Sequence, residues 1–346
     1  MLLNSLAHSA WLISLASSVT ATMLGPVQVG VQFNDTNGQL VQAHSGGIYT
    51  EGDTFYLYGN NYTGDTGSDP FTGVCLYQSR DLSNWEYLDT ILTPSSPGWA
   101  ENSTGCGDFA VLERPKIAFN KETKRYVLYA HVTDAAYEVT MVGVATSPKI
   151  TGPWEFVQCY EPGGVYSWDM GLYIDDDEDR TGYLIYSSDA DGTGTNGALR
   201  ISQLSSDYLS VVVANVTTGQ GQLESPALFK YEGVYTLLVS HTSGWASNPN
   251  VYDQATAISG LMAGGFTDEI APDSSDTYNS QTAFVLPLTG SFGTRFVYLG
   301  DRYTDPELYE SSYVWLPMNV TTDSATLIYY ADEWYFDTHT GTFSGN

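Results

Sequence analysis

The sequence predicts an all-β fold in which one hairpin unit recurs along the chain. Two copies are clear: residues 112–119 followed by 125–131, and residues 223–229 followed by 234–241. Each copy has a carboxylate shortly before a proline, an apolar strand, a turn, and a second strand rich in tyrosine and β-branched residues. No stretch of useful length has helical periodicity. Repeats of this kind are typical of a β-propeller or an array of small sheets.

Five such units can be counted in order. The second, third and fourth begin 56 and then 55 positions apart. The starting positions lie near His44, Glu113, Asp169, Glu224 and Gln281. No linker rich in proline or serine separates the units, so residues 22–346 are predicted to form a single domain, a five-bladed β-propeller.

Residues 1–21 have the features of a secretory signal peptide. Residues 11–16 form an apolar centre, and Val19-Thr20-Ala21 is a small-residue cleavage pattern, although no Lys or Arg precedes the centre. Glycosylation sequons also agree with an extracellular protein. They start at Asn34, Asn61, Asn102, Asn215 and Asn319. We therefore expect a secreted glycoprotein.

The three cysteines allow one disulfide bond and one free thiol. If a bridge forms, the favoured pair is Cys75–Cys106, because both residues lie shortly before the Glu113 segment.

The composition narrows the choice of partners. A net charge of −28 argues against nucleic acid and anionic membrane surfaces, because few cations could neutralise phosphates. The net negative charge is also explained if it serves only to keep a secreted protein soluble. Aromatic residues make up 14% of the chain, which suits a polysaccharide or oligosaccharide ligand. A monomer without a cofactor is expected.

Three carboxylates occupy the starts of successive units. In a propeller the first strand of each blade lines the central axis, so Glu113, Asp169 and Glu224 are expected to meet in one pocket. Such a cluster is costly unless it has a function. Glycoside hydrolysis needs an acid with a raised pKa and a second group that activates water or attacks carbon. The alternative is that Glu113 and Glu224 pair with Arg114 and Lys116, or cap strand ends.

A series of short motifs runs in order through residues 40–318. They are His44-Ser45-Gly46-Gly47, Glu113-Arg114-Pro115-Lys116, Ser167-Trp168-Asp169-Met170, Asp175-Asp176-Asp177, Leu184-Ile185-Tyr186-Ser187-Ser188, Glu224-Ser225-Pro226-Ala227, Ser243-Gly244-Trp245, Gly300-Asp301-Arg302 and Tyr313-Val314-Trp315-Leu316-Pro317. Together they resemble glycoside hydrolase family 43, and within it the exo-β-1,3-galactanase branch. The resemblance implies a five-bladed β-propeller, inversion at the anomeric carbon, and release of galactose from β-1,3-galactan or arabinogalactan.

The resemblance also implies roles for the clustered residues. Glu224 would be the general acid, and Asp169 would orient it and raise its pKa. Most of the family has an Asp on the first strand of the first blade, where this sequence has His44-Ser45-Gly46-Gly47. The galactanase branch also lacks it and has a Gln facing the water, which is matched by Gln281. A neutral amide is a poor base, so Glu113, which the resemblance casts as a substrate ligand, is the competing candidate.

Further pocket residues follow from position and resemblance. The substrate-binding candidates are His44, Asn60, Tyr137, Thr242, Trp245, Asp301 and Arg302. Trp245 would stack on a sugar ring or, alternatively, pack between blades, and Arg302 would read a hydroxyl or pair with Asp301. The acidic run at 175–179 lacks the full spacing of a calcium loop. It is expected to be an exposed hairpin turn without a metal.

Two functions other than that of a galactanase are also compatible with the sequence. One is an α-L-arabinofuranosidase or β-xylosidase of the same fold, which the missing first-blade Asp argues against. The other is a catalytically silent sugar-binding propeller, which the retention of Asp169 and Glu224 argues against.

Overall fold

A computed structural model describes residues 22–63, 71–102, 109–189, 198–217, 222–327 and 330–345. The described chain opens with strand β1 (Met23–Gln28). The first two four-stranded sheets follow. They are β2 (His44–Glu51), β3 (Thr54–Asn60), β4 (Val74–Ser79) and β5 (Glu86–Leu92), then β6 (Phe109–Asn120), β7 (Arg125–Asp134), β8 (Thr140–Ser147) and β9 (Glu155–Tyr160).

Three more antiparallel sheets of four strands continue the pattern. They are β10 (Ser167–Ile174), β11 (Gly182–Ser188), β12 (Ala198–Leu204) and β13 (Val211–Thr217); β14 (Leu223–Tyr231), β15 (Val234–His241), β16 (Val251–Ala255) and β17 (Asp268–Glu269); and β18 (Gln281–Gly290), β19 (Gly293–Arg302), β20 (Ser312–Val320) and β21 (Ala325–Leu327). The described helices are single turns. They are Trp99–Asn102, Ile258–Gly260 and Leu308–Glu310.

A sixth sheet joins the two ends of the described chain. Strand β1 pairs with β22 (Glu333–Asp337), which in turn pairs with β23 (Thr342–Gly345). The predicted all-β propeller is confirmed, but the prediction of five blades is wrong, because the structure has six. The sixth blade escaped the sequence analysis because its strands come from distant parts of the chain and do not form a copy of the repeated hairpin.

The five four-stranded blades place their first strands around a common axis. Strands β2, β6, β10, β14 and β18 contact one another in this order, and β18 returns to contact β2. Side chains between the blades form the apolar core. Trp85 and Trp154, which close the first two units in the sequence, are both 1% exposed. The indole nitrogen of Trp154 donates to the Ile150 carbonyl at 2.9 Å, so its polar atom is satisfied in the core.

Every first strand is interrupted by a β-bulge near its beginning. The bulges fall between His44 and Gly47, Glu113 and Lys116, Ser167 and Met170, Glu224 and Ala227, and Thr282 and Phe284. Ser45, Arg114 and Ser225 adopt positive φ angles of 59°, 54° and 55° within three of them. A bulge bends the strand and re-aims its side chains. The five bulges therefore set the direction of the polar side chains at this end of the axis.

Two sequence expectations concern parts of the chain away from the axis. The favoured Cys75–Cys106 disulfide is wrong, since Cys75 is a free buried thiol in the core and Cys159 is disulfide-bonded. Cys106 and the predicted signal peptide lie outside the described residues. Among the residues that are described, no helix is long and apolar enough to cross a bilayer.

Candidate active site

The bulges of the first strands surround a cavity of about 260 Å³. Its lining contains all three predicted carboxylates. The lining residues are Ser45, Glu113, Arg114, His131, Tyr137, Trp168, Asp169, Glu224, Gly244, Trp245 and Gln281.

The strand register distinguishes Asp169 from the other polar residues of the cavity. Glu113 and Glu224 lie just before the bulge of their strand, Gln281 lies one residue further from its bulge, and all three pair with the second strand of their blade. In the third blade this position belongs to Ser167, and Asp169 lies two residues further on, inside the bulge. The carboxylates therefore approach one another from two levels of the ring, not from equivalent positions.

Asp169 is held as a carboxylate by its neighbours. The Arg114 guanidinium lies 2.9 Å from Oδ2 of Asp169, and the Ser225 hydroxyl donates to the same oxygen at 2.8 Å. Burial alone would raise the pKa of Asp169, but the charge of Arg114 and the Ser225 hydrogen bond outweigh it and lower the pKa below its ordinary value. Asp169 is therefore ionised at neutral pH.

Glu224 has the opposite electrostatic environment. Burial and the negative charge of Asp169 raise its pKa to about 8, although Arg114 and two hydrogen bonds oppose the rise. Those bonds reach Oε1, from the Gln281 amide at 2.8 Å and the Ser243 backbone N–H at 3.4 Å. Two carboxyl groups with pKa values pushed apart are the usual arrangement for an acid and its partner. At neutral pH Glu224 carries the proton.

Gln281 forms hydrogen bonds with both Arg114 and Glu224. Its Oε1 accepts a short hydrogen bond from Arg114, and its Nε2 donates to Glu224 and to the Ser240 hydroxyl at 3.1 Å. The amide orientation is fixed, because a guanidinium has only donors and must face the amide oxygen. Both amide hydrogens and one lone pair of Gln281 are thus engaged within the protein.

Glu113 faces the cavity from the second blade. Its Oε2 lies 3.0 Å from Nδ1 of His131, and its Oε1 accepts from the Tyr137 hydroxyl at 2.8 Å. Burial and the nearby Glu113 charge raise the pKa of Tyr137, so the phenol remains a donor. These two contacts fix the carboxylate plane of Glu113.

Glu113, His131 and Asp169 bring potential metal-ligand atoms within 4.8 Å of one another. Arg114 already neutralises Asp169 at 2.9 Å. A metal ion would need the negative charge of Asp169, and the Arg114 guanidinium already neutralises that charge.

The profile of the family described as "Glycosyl hydrolases family 43" matches residues 46–264. This span is well over half of the chain and contains Glu113, Asp169 and Glu224. The chain belongs to glycosyl hydrolase family 43.

Solved structures that are similar to this chain agree with the family 43 assignment. An exo-β-1,3-galactanase from Phanerochaete chrysosporium, solved with galactose, is 34% identical and has a TM-score of 0.82, over 93% of this chain and 71% of that one. An exo-β-1,3-galactanase from Clostridium thermocellum is 30% identical with a TM-score of 0.80, over 92% and 68% of the two chains.

A curated relative gives a weaker match. A xylan 1,3-β-xylosidase from a Vibrio species is 25% identical over 202 residues, which are 56% of this chain. The match spans only 35% of that relative's length.

Two of the substrate-binding candidates line the family 43 cavity. Tyr137 contributes its ring and hydroxyl at the Glu113 side. Trp245 makes edge contacts with Tyr303 at 4.8 Å and Tyr62 at 6.3 Å between ring centroids. Trp245 is half-buried and held by these rings, which allows its remaining surface to form one wall of the cavity.

The other candidates lie behind the cavity wall. His44 is fully buried, is stacked on Tyr313 at 4.6 Å, and binds Asp301 through Nδ1 at 2.9 Å. Asp301 also accepts the Ser45 N–H at 2.9 Å, so it fixes the first-blade bulge. Asn60 donates to the β6 backbone at 2.7 Å. Arg302 donates to three backbone carbonyls, and Thr242 pairs with Gln222 through its backbone.

Five residues of the cavity lining were not predicted as site residues from the sequence: Ser45, Arg114, His131, Trp168 and Gly244. Arg114 was considered only as a partner of Glu113 or Glu224, whereas it binds Asp169. His131 and Trp168 also line the cavity. Trp168 lies in one of the motifs and His131 ends the second strand of a repeat copy, but the direction of their side chains could not be read from the sequence. The one available signal was that Arg114 adjoins Glu113 and is one of only 12 Lys and Arg residues in the chain.

Proposed function

We propose that this family 43 protein is an inverting exo-β-1,3-galactanase that releases galactose from the non-reducing end of β-1,3-galactan. The observation that carries the proposal is the pair of carboxyl groups that line the small cavity: Asp169 is ion-paired with Arg114, and burial together with the Asp169 charge raises the pKa of Glu224 to about 8. The named activities of the two galactanases similar to this chain support the choice of sugar.

In the proposed reaction, Glu224 gives its proton to the glycosidic oxygen as the bond from that oxygen to the anomeric carbon breaks. Water attacks the same carbon from the opposite face and loses its proton to a base. The products are α-galactose and a shortened galactan. Asp169 keeps the Glu224 proton in place until transfer, because its negative charge disfavours ionisation of Glu224. Arg114 in turn prevents protonation of Asp169.

The water would be positioned by Gln281 or by Glu113. Gln281 has one lone pair of Oε1 left after accepting from Arg114, which is enough to orient a water but leaves it a poor base. Glu113 is an anionic acceptor whose orientation is already fixed by His131 and Tyr137. Azide would discriminate between them, since a variant lacking the true base should regain turnover when azide replaces water, whereas a variant lacking a substrate ligand should not.

The direct test is incubation with β-1,3-galactan, β-1,3-xylan and aryl arabinofuranosides, with released sugars followed by chromatography and the first-formed anomer by NMR. Galactose appearing first as the α-anomer is the expected result. Xylose release alone would move the specificity to that of the Vibrio relative. The appearance of β-galactose first would contradict the inverting mechanism.

Glu224→Gln tests the acid directly. We expect turnover of galactan to fall by about 10³-fold or more, while binding of the sugar persists, because the side chain keeps its shape but loses its proton. Glu155→Gln, at the exposed start of β9, is the matched control and should leave turnover unchanged. A silent sugar-binding protein would show no turnover in either form.

We also propose that the protein is secreted and N-glycosylated. Two sequon residues, Asn34 and Asn319, are exposed in the structure, as glycan attachment requires. Expression in a secreting eukaryotic host, followed by mass measurement before and after enzymatic removal of N-glycans, tests both parts. An unchanged mass, or retention in the cell, would contradict the proposal.

A further inference from the structure

A second, larger cavity lies at the opposite end of the propeller axis. It encloses about 680 Å³, and its walls come from the far ends of the same five first strands. Its floor is apolar and buried, with Ile117, Leu228, Val285 and Phe296 less than 9% exposed. Volumes of this size are typical of small-molecule sites.

The rim of this cavity gathers an unusual number of cations. The chain has 12 Lys and Arg residues against 40 Asp and Glu, yet Lys121, Arg180, Lys230 and Arg295 all line this opening. Within the described part of the chain, the carboxylate ion pairs closer than 4.0 Å do not include Lys121, Arg180 or Arg295. These three cations therefore line the opening without a close ion-pair partner among the described residues.

The carboxylates of the rim offset only part of this charge. Asp176 lies 2.5 Å from the Lys230 ammonium, which also binds the buried Asp175 at 3.0 Å. These two residues begin the acidic run that was expected to be only an exposed turn. Glu232 is the other carboxylate in the lining. Among the lining residues, this opening therefore has four cations and two carboxylates, whereas the catalytic cavity has one arginine and three carboxylates.

Aromatic side chains stand beside the cations. Phe292, at the turn between β18 and β19, is 72% exposed. Tyr231 is half-buried, in edge contact with Phe296 at 5.9 Å between centroids. An exposed phenylalanine is costly for solubility, and a flat apolar face next to hydrogen-bond donors suits a pyranose ring.

We propose that this cavity is a binding site for a carboxylated saccharide, separate from the catalytic cavity. The sugar ring would lie against Phe292 and Tyr231, and its carboxylate would accept from Arg295 and Arg180. Guanidinium groups are the preferred partners of carboxylates because their donors match both oxygens. A neutral galactan would leave these charges without partners. The inference does not depend on which glycan the catalytic cavity cleaves.

The test is calorimetric titration of the intact protein with trigalacturonate, free galacturonate and neutral β-1,3-galactotriose. We expect trigalacturonate to bind and its affinity to fall when salt is raised, since the contacts are charged. Arg295→Gln should weaken binding about tenfold or more, and Phe292→Ala should weaken it severalfold. Lys149→Gln, which removes an exposed cation outside the lining, is the control and should change nothing. All three variants should hydrolyse galactan at the unmodified rate.

The possible results of this titration lead to different conclusions. Equal affinity for free galacturonate would assign the site to a free sugar acid of the same class. Absence of trigalacturonate binding, an affinity unaffected by Arg295→Gln, or competition by excess galactose would overturn the proposal. Loss of hydrolysis on all galactans, with trigalacturonate binding intact, would count against the proposed catalytic function only.

Discussion

Arg114 determines the electrostatics of the catalytic cavity. Its guanidinium donates to the Thr282 carbonyl at 2.9 Å and to Gln281, and it pairs with Asp169 at 2.9 Å. A buried charge is tolerated only where its donors are met. These contacts from two blades meet that condition. The same cation keeps Asp169 ionised, and through Asp169 it keeps the proton on Glu224.

Replacing Arg114 by Lys should therefore impair turnover more than it impairs binding. The ammonium keeps the charge but cannot contact Asp169, Gln281 and the Thr282 carbonyl in one plane. We expect kcat to fall about 100-fold with a smaller change in KM. Arg125→Lys, which alters a contact to Thr146 on the outer side of the same blade, is the control. Equal losses in both variants would show that Arg114 acts only in folding.

The pH dependence of activity should reflect Glu224. Because the acid must be protonated and its pKa is about 8, kcat/KM should decline as the pH rises through about 8. For the Asp169→Asn variant, the decline of the remaining kcat/KM should occur at lower pH. The negative charge that holds the proton on Glu224 is absent in this variant. Rate profiles of both proteins test this. A decline at the same pH in both would contradict the coupling.

Glu224 should also make the fold less stable at neutral pH. The unfolded chain ionises this carboxyl above about 4.5, whereas the folded chain keeps it protonated to about 8, so folding takes up a proton in between. Glu224→Gln removes that cost. Its free energy of unfolding should exceed that of the unmodified protein by about 1–3 kcal/mol at pH 7. Urea unfolding should show the difference shrinking toward pH 4.5, and a constant difference would contradict this account.

At the scale of single strands, the β-bulges limited how much of the site could be predicted from the sequence. The repeat correctly located the first strands and their carboxylates, because hydrophobic alternation and turn residues are local signals. It could not reveal that Asp169 belongs inside its bulge, two residues beyond Ser167. A bulge changes which face a side chain occupies without changing the composition of the strand. The partners of Arg114 and the burial of His44 were hidden for the same reason.

The bulge at Ser225 offers a paired test. Its φ of 55° is unfavourable for residues with a Cβ, and its hydroxyl donates to Asp169 at 2.8 Å. Ser225→Gly and Ser225→Ala both remove the hydroxyl, so both should lower activity, by about tenfold. Ser225→Gly should be about 1 kcal/mol more stable than Ser225→Ala, because glycine accepts the left-handed conformation without strain. Thermal unfolding and kinetics test this, and a more stable Ala variant would argue against strain at the bulge.

At the scale of the whole molecule, the sixth blade joins the two ends of the described chain. Trp334 and Phe336 of β22 are 1% and 0% exposed within the core, and the Trp334 indole donates to the Trp315 carbonyl at 2.7 Å. The blade could not be predicted from the repeat, since its pairing partners are separated by almost the entire described chain and local propensity says nothing about such pairs. The five-unit count was accordingly one blade short.

Two truncations measure what this blade contributes. Ending the chain after residue 330 removes β22 and its core aromatics, and each buried Trp or Phe lost costs about 3–5 kcal/mol. We expect this form not to fold cooperatively. Ending it after residue 341 removes only β23, whose residues are half-buried or exposed, and should lower the melting temperature by a few degrees. Similar melting of both forms would show that β22 is dispensable.

The pairing of β1 with β22 also orders events during biosynthesis. Thr22 and Thr338, which hydrogen-bond to each other, are 316 positions apart, so the early strand leaves the ribosome long before its partner exists. At about 5–20 residues per second, the early strand waits for tens of seconds with its edge unpaired. During that interval it is exposed to neighbouring nascent chains on the same message. An unpaired strand edge can pair with another chain until its own partner arrives.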